Sequence, residues 1–248
     1  MKAETESPAT VPSERVIGLL QEGHIELVAQ VLPSSNLIFL TNVSDDELQA
    51  LAIYKPHRGE RPLWDFAHGT LCLREVAAYA VSRALGWPSI PPTVLRDGPH
   101  GLGALQLFID ADQEVNYFSF HEDRQSDLLP VALFDLLANN ADRKGGHLLL
   151  DRQDRIWAID NALTFHAEPK LRTVIWDFAG QATPDAYLAD LARLQRKLAG
   201  DSVVRRTLDK LLAEEEVAAF QDRLAWLLEA RTFPQPDPDR RQVPWPLI

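Results

Sequence analysis

Asn139-Asn140-Ala141-Asp142-Arg143-Lys144-Gly145-Gly146-His147-Leu148-Leu149-Leu150, closed after a polar turn by Ile156-Trp157-Ala158-Ile159-Asp160, is the stretch whose reading decides the fold. Upstream of it, Leu128 to Leu137 is apolar enough for a buried helix, and the Asn, Asp and Gly residues that follow favour a tight loop over more helix. Leu148 to Leu150 and Ile156 to Ile159 then read as a short hairpin. Asp142 precedes its first strand and Asp160 ends its second, so two carboxylates arrive at one mouth. A plain helix-to-strand loop would use the same Asn, Asp and Gly residues, but it would not require a second Asp on leaving the hairpin.

Asp142, with Lys144 two residues on and His147 five residues on, has the spacing of a kinase catalytic loop, in which the Asp orients a hydroxyl and the residue five on binds metal. Leu133-Phe134-Asp135-Leu136-Leu137-Ala138-Asn139-Asn140-Ala141-Asp142-Arg143-Lys144, followed by Ile159-Asp160-Asn161, resembles the core of phosphatidylinositol 3- and 4-kinases and their HipA-type and secreted Golgi-kinase relatives. More closely, it resembles an uncharacterised bacterial family related to those kinases. The resemblance covers most of the chain, roughly residues 20 to 180. It implies an α+β, bilobal protein-kinase-like fold, an antiparallel-sheet N-lobe on a helical C-lobe, with ATP and Mg²⁺ or Mn²⁺ as cofactors. The sequence departs from the family pattern at His147, where Asn is usual, and at Asp160-Asn161-Ala162, where many members have Asp-Phe-Gly.

Composition bounds the partners. The 248 residues suffice for a bilobal domain, and 46% hydrophobic content suffices for a packed core. A net charge of -11 opposes binding to nucleic acid or an anionic membrane surface, because Lys and Arg dominate contacts to phosphate backbones. No apolar run approaches the ~20 residues of a membrane span, and residues 1 to 12 lack the apolar core of a signal peptide, so a cytoplasmic monomer is expected. Cys72 stands alone and the seven histidines form no His-x-x-x-His pair, which disfavours a disulfide framework and a zinc hydrolase. Cys72 itself reads as a small hydrophobe on a helix.

The order of elements supports the same architecture. Residues 13 to 20 suit a helix capped by Ser13 and ended by Gly23. Strands at 24 to 32, 37 to 43 and 48 to 54 form an antiparallel meander, a helix follows from Leu71 to Leu85, and further strands occupy 93 to 97 and 103 to 109. Helices are expected near 184 to 199, 201 to 213 and 214 to 230. Strands first and helices later is the α+β order, with an N-lobe over 13 to 109 and a C-lobe over 110 to 231. Residues 1 to 12 and 232 to 248 are tails. Five prolines deny the second a helix or a central strand, while Trp245 and Leu247 allow its end to dock.

Lys55 ends an apolar strand before Pro56, and Glu75 follows twenty residues later near the start of a helix, where kinases place the acid that holds the phosphate-binding Lys. Ser34, Ser35 and Asn36 make a turn that reads either as a plain hairpin or as a loop presenting amides and hydroxyls to phosphate. Gln106, Leu107, Phe108 and Ile109 form either an ordinary buried strand or, at its end, a backbone edge for adenine. His147 is open between metal ligand, hydrogen-bonding support for Asp142 and structural histidine, since imidazole suits Mn²⁺ better than Mg²⁺. His57 to Phe66 reads as a lid whose Arg58 or Arg61 could reach phosphate while Trp64 and Phe66 pack inward. Trp176-Asp177-Phe178 reads as core more than as a substrate platform.

The expected function is transfer of the γ-phosphate of ATP to a hydroxyl on a protein or small molecule. Lys55 would hold the phosphates, Glu75 would orient Lys55, Asp142 would align the acceptor, Lys144 would offset charge, and Asp160 with His147 would carry the metal. An inactive nucleotide-binding pseudokinase and a nucleotidyl transferase on the same fold are the alternatives.

Overall fold

The computed structural model describes residues 11–32, 36–112 and 114–248 of the chain. Helix α1 (Ser13–Glu22) turns Ile17, Leu19 and Leu20 inward. Pro12, not Ser13, occupies its cap position, and no side-chain cap bond forms. Ser13 is already helical, so the expected hydroxyl cap is lost. Gly23 ends the helix by close approach and not by left-handed geometry: its φ is -60°, and a Cβ there would lie 2.6 Å from the Leu19 carbonyl oxygen.

Strands β1 (His24–Gln30), β2 (Phe39–Ser44), β3 (Gln49–Pro56), β4 (Thr93–Gly98) and β5 (Gly101–Leu107) form an antiparallel sheet in the order β1-β2-β3-β5-β4. The meander of β1 to β3 is therefore as the alternation predicts. β5 pairs with β3 in a register that places Lys55 opposite Ala104. Val43, Ala52, Tyr54, Val94 and Leu105 pack under α1 as a first core, while the edge strand β1 is mostly solvent-exposed.

Helix α2 (Leu71–Leu85) crosses between β3 and β4 and stops at Gly86, whose φ of 93° is the left-handed conformation that glycine adopts without steric cost. Its first turn is capped from a distance, since the Glu60 carboxylate accepts the amides of Leu71 at 3.2 Å and Cys72 at 2.8 Å. Ala77, Ala78, Val81 and Leu85 on α2 belong to the second, larger core. Although α2 interrupts the sheet in sequence, it packs with the helical half, and this joins the lobes.

That second half contains α3 (Tyr117–Phe120), α4 (Gln125–Ala138), the hairpin β6 (Leu148–Leu150) with β7 (Ile156–Ala158), and helices α5 (Asp185–Ala199), α6 (Val203–Leu211) and α7 (Glu214–Ala230). α4 is buried around most of its circumference, with Leu133, Phe134 and Leu137 against Leu191 and Leu194 of α5 and Phe220 and Leu224 of α7 in one cluster. Fully burying side chains of this size contributes about 1.5–3 kcal/mol each, so α4 is a rigid base for the loop it leads into. The tail docks largely through its backbone: Phe233 is buried and exchanges bonds with Gly180 and Gln181, the Gln242 carbonyl accepts the Thr173 amide at 3.1 Å, and the Leu247 carbonyl accepts the Gly145 amide at 2.7 Å. Trp245, expected to help the docking, is instead 76% exposed. Among the described residues no helix is long and apolar enough to cross a membrane.

Candidate active site

Two buried asparagines explain how the loop after α4 is held. Asn139 adopts a left-handed φ of 54° at the helix end and bonds the carbonyls of His166 and Glu168 and the amide of Lys170. Asn140 accepts the Asp142 amide at 3.0 Å and donates to Asp135 at 3.0 Å. Beneath them lies a network that the sequence reading did not anticipate. Arg143 is fully buried and meets both Asp135 oxygens at 3.1 Å, the Ile159 carbonyl at 2.6 Å and the Asn161 side chain at 2.6 Å. The catalytic-loop stretch and the Asp160 stretch are thus fastened to each other and to α4 by one guanidinium.

Lys55 and Glu75 meet as an ion pair, and the second Glu75 oxygen accepts the Asn161 amide at 3.1 Å. The Lys55 ammonium also lies 3.3 Å from Asp160. Burial would lower the Lys55 ammonium, but Glu75 and Asp160 together raise it, so it stays charged. Burial would raise the Asp160 carboxyl, but the charge and hydrogen bond of Lys55, with the charge of Arg143 behind it, outweigh that and hold it below the usual carboxylate range. Asp160 sits at a left-handed φ of 54°, a conformation disfavoured for most residues though Asp tolerates it, with its side chain 47% exposed to the cleft.

His147 does not begin a strand; it closes a 3-10 turn, Gly145–His147, before β6. Burial depresses its imidazole to about 4, so the ring is neutral near pH 7. Nδ1 accepts the Lys144 amide at 3.3 Å, which leaves the proton on Nε2, and Nε2 faces an Asp160 oxygen at 3.4 Å. The support His147 gives in this arrangement is therefore to Asp160 and not, as expected for a hydrogen-bonding role, to Asp142. Asp142 pairs instead with Lys144 at 3.3 Å. Burial raises the Asp142 carboxyl, and Lys144 and Arg172 pull the other way.

Among the described residues no three His, Cys, Asp or Glu side chains cluster as a self-sufficient metal cage. The donor set fits a divalent ion that arrives with a nucleotide, because such ions are commonly held by one or two protein ligands together with phosphate oxygens and water. Asp160 supplies a hard oxygen. His147 could add Nε2 only by moving its proton to Nδ1 and giving up the Lys144 amide.

The other expected positions lie apart from this cluster. The Gln106 side chain is buried and donates to Thr93 at 2.9 Å, bridging β4 and β5. The amides of Leu107 and Phe108 are taken by the carbonyls of Pro92 at 2.8 Å and Leu51 at 3.0 Å, so an amide for adenine would come from Ile109 or beyond. Ser34 and Ser35 fall outside the described residues. Asn36 accepts the Arg61 amide at 2.8 Å, tying the β1–β2 turn to the following segment. In that segment Phe66 is buried as expected, whereas Trp64 is 92% exposed and stands over the Lys170 ammonium. Trp176 likewise is only half-buried and donates to the Gln242 carbonyl, while Phe178 is core.

A cavity of about 880 Å³ opens beside Asp142, walled by Trp64, Lys170, Arg172, Trp176 and the tail residues Arg240 and Arg241. It went unseen in the sequence because its walls come from the lid, the segment after Asp160 and the proline-rich tail, none of which carries periodicity. Cys72 is buried and its thiol is pushed up to about 12 by that burial, which makes it unreactive.

An antiparallel sheet joined through α2 to a helical half, with a Lys–Glu pair across the junction, defines a kinase-like α+β fold. Solved structures agree: the Helicobacter pylori proinflammatory kinase CtkA matches with a TM-score of 0.50 at 12% identity, covering 86% of this chain and 94% of that one. The Golgi casein kinase with Mn/ADP bound matches with a TM-score of 0.52 at 15% identity, covering 92% and 80%. These matches are to atypical kinases and do not single out the phosphatidylinositol or HipA-type groups. No family model matches the sequence. The chain belongs to the family of Protein Rv2133c of Mycobacterium tuberculosis, to which it is 36% identical over 92% of its own length and 94% of the relative's.

Proposed function

We propose that the protein transfers the γ-phosphate of ATP to a hydroxyl acceptor. The observation that carries this reading is the unbroken line of contacts from Glu75 through Lys55 to Asp160 and His147, with the Asp142–Lys144 pair contributed by the same loop. Lys55, kept charged and held by two carboxylates, is positioned to donate to phosphate oxygens. Asp142 takes the proton of the acceptor hydroxyl as the oxygen bonds to the γ-phosphorus and the bond to the β-bridging oxygen breaks, releasing ADP. Lys144 offsets charge developing on the phosphoryl oxygens. A Mg²⁺ or Mn²⁺ held by Asp160, with or without His147, would neutralise phosphate charge. The Mn/ADP found with the Golgi casein kinase supports that choice of cofactors by fold analogy alone. The adenine would lie near Ile109, at the end of β5.

Asn161 has a structural part in this arrangement, its backbone amide bonding Glu75 and its side chain accepting from Arg143, and the pseudokinase alternative is left to experiment. Purified protein incubated with ATP labelled at the α or the γ position, with Mg²⁺ or Mn²⁺, tests the reading. Label should leave ATP from the γ position only. Transfer of the α label would establish nucleotidyl transfer instead, and tight ADP binding without turnover on any acceptor would establish the pseudokinase.

A further inference from the structure

We infer that the cavity beside Asp142 is the acceptor site and that it takes a small hydroxyl compound bearing a carboxylate or phosphate, with Arg172 and Arg241 as the groups that bind the anion. This rests on the phosphotransfer reading, since it is Asp142 that makes the cavity an acceptor site.

The argument comes from charges left over once internal pairing is accounted for. Lys170 is satisfied by Asp65 at 3.1 Å and approaches Glu168 at 3.9 Å. Arg240 reaches Asp237 at 3.5 Å, and Asp142 has Lys144. Among the described residues Arg241 reaches only the Val243 carbonyl at 3.0 Å, and the Arg172 guanidinium makes no hydrogen bond or ion pair, meeting only the Asp142 carboxylate at longer range. Arg172 is held in place by its backbone, which exchanges bonds with Asn140 and Arg143 on the catalytic loop, and it is close enough to Asp142 for its charge to act on that carboxyl. A chain of net charge -11 repels anions at long range, whereas the cavity lining balances Asp65, Asp142, Glu168 and Asp237 with Lys170, Arg172, Arg240 and Arg241, a local relief of that repulsion.

The shape favours a small occupant. About 880 Å³ is within the range of small-molecule sites, and the tail forms one wall by bonding Gln242 to Thr173 and Trp176. Trp64, 92% exposed on the rim, offers a flat face to the rest of the molecule. Guanidinium forks match carboxylate and phosphate oxygens in geometry as well as charge.

The test uses the full chain without nucleotide and follows tryptophan fluorescence and calorimetry. The probes are inorganic phosphate, glycerol 3-phosphate and gluconate, against the neutral glycerol and glucose. The anionic probes should bind at least about tenfold more tightly than the neutral ones, and Arg172→Gln should weaken them about ten- to a hundredfold, the loss expected when a charged hydrogen bond is removed. Arg241→Gln should weaken them less, Arg172→Lys should fall between wild type and Arg172→Gln because it keeps the charge and loses the fork, and Arg206→Gln on α6 should change nothing. ADP affinity of the Arg172→Gln protein should match wild type, which separates a lost anion site from a lost fold. Equal binding of neutral and anionic probes, or indifference to Arg172→Gln, overturns the inference while leaving γ-label transfer to be judged separately. Tighter binding of an acidic serine peptide or of phosphatidylglycerol vesicles than of any small anion overturns it too, in favour of a larger partner. Arginine-dependent anion binding in a protein with no γ-label transfer would keep the anion site and remove its role as an acceptor site.

Discussion

Replacing Asp135 by Asn removes one charge and alters almost no volume, yet it strikes the point where the site is fastened to its base. Asp135 is fully buried in α4 and accepts from Arg143, from Asn140 at 3.0 Å and from Thr173 at 3.1 Å. The Asn keeps one acceptor oxygen but leaves Arg143 with no compensating charge at zero exposure. Breaking a buried pair from one side costs about 3–5 kcal/mol. For a domain of this size each kcal/mol shifts Tm by roughly 2–4 °C, which gives an expected fall of about 6–20 °C. Urea unfolding followed by circular dichroism measures the free energy. The double variant Asp135→Asn with Arg143→Met should lose less than the sum of the singles, because the second change removes the stranded charge. An Asp135→Asn protein within about 1 kcal/mol of wild type would refute the view that this pair anchors the loop.

Asp142→Asn should lower γ-phosphate transfer by ~10² to 10⁴ with nucleotide affinity little changed; turnover within about tenfold of wild type would remove Asp142 from proton transfer. Lys55→Ala should weaken ATP binding, measured by calorimetry, and Glu75→Gln should weaken it less, because only Lys55 would touch phosphate; the reverse order would sink the pairing. Transfer should run faster with Mn²⁺ than with Mg²⁺, and His147→Asn should shift the ratio toward Mg²⁺. An unchanged ratio with a lower rate would make His147 a support for Asp160 and not a ligand.

What was legible in the sequence was what repeats or alternates. Leu71 to Leu85 was readable to the residue as α2 because a clear apolar spacing ends at a glycine, and β1 to β3 because polar turns separate β-branched runs. Asp142, Lys144 and Asp160 were readable as neighbours because a short hairpin returns the chain to its starting point. What could not be read was where a side chain turns at a position its spacing leaves open. Gln106 went into the sheet and Trp64 went out to solvent, while His147 turned to Asp160, the neighbour that the metal reading gave it, and not to Asp142. The tail was opaque for a different reason: its prolines exclude helix and strand, and it docks by single backbone bonds that no local pattern encodes.

Consecutive residues of α2 settle how the lobes are joined. Glu75 faces the cleft with both oxygens engaged, one by Lys55 and one by the Asn161 amide. Arg74, turned the other way and 1% exposed, donates to the Thr164 carbonyl at 2.7 Å, pairs with Glu216 of α7 and lies over Phe66. To swing α2 away from the cleft would strand a buried guanidinium and a buried carboxylate together, each costing several kcal/mol unpaired. An aromatic residue in the place of Asn161 could not accept from Arg143, so the departure from Asp-Phe-Gly exchanges an apolar plug for a polar tether. The substitution that reads in sequence as loss of a kinase motif is, in structure, the side chain that ties the residue after Asp160 to Arg143, while the backbone amide of the same residue, independent of its side chain, holds Glu75.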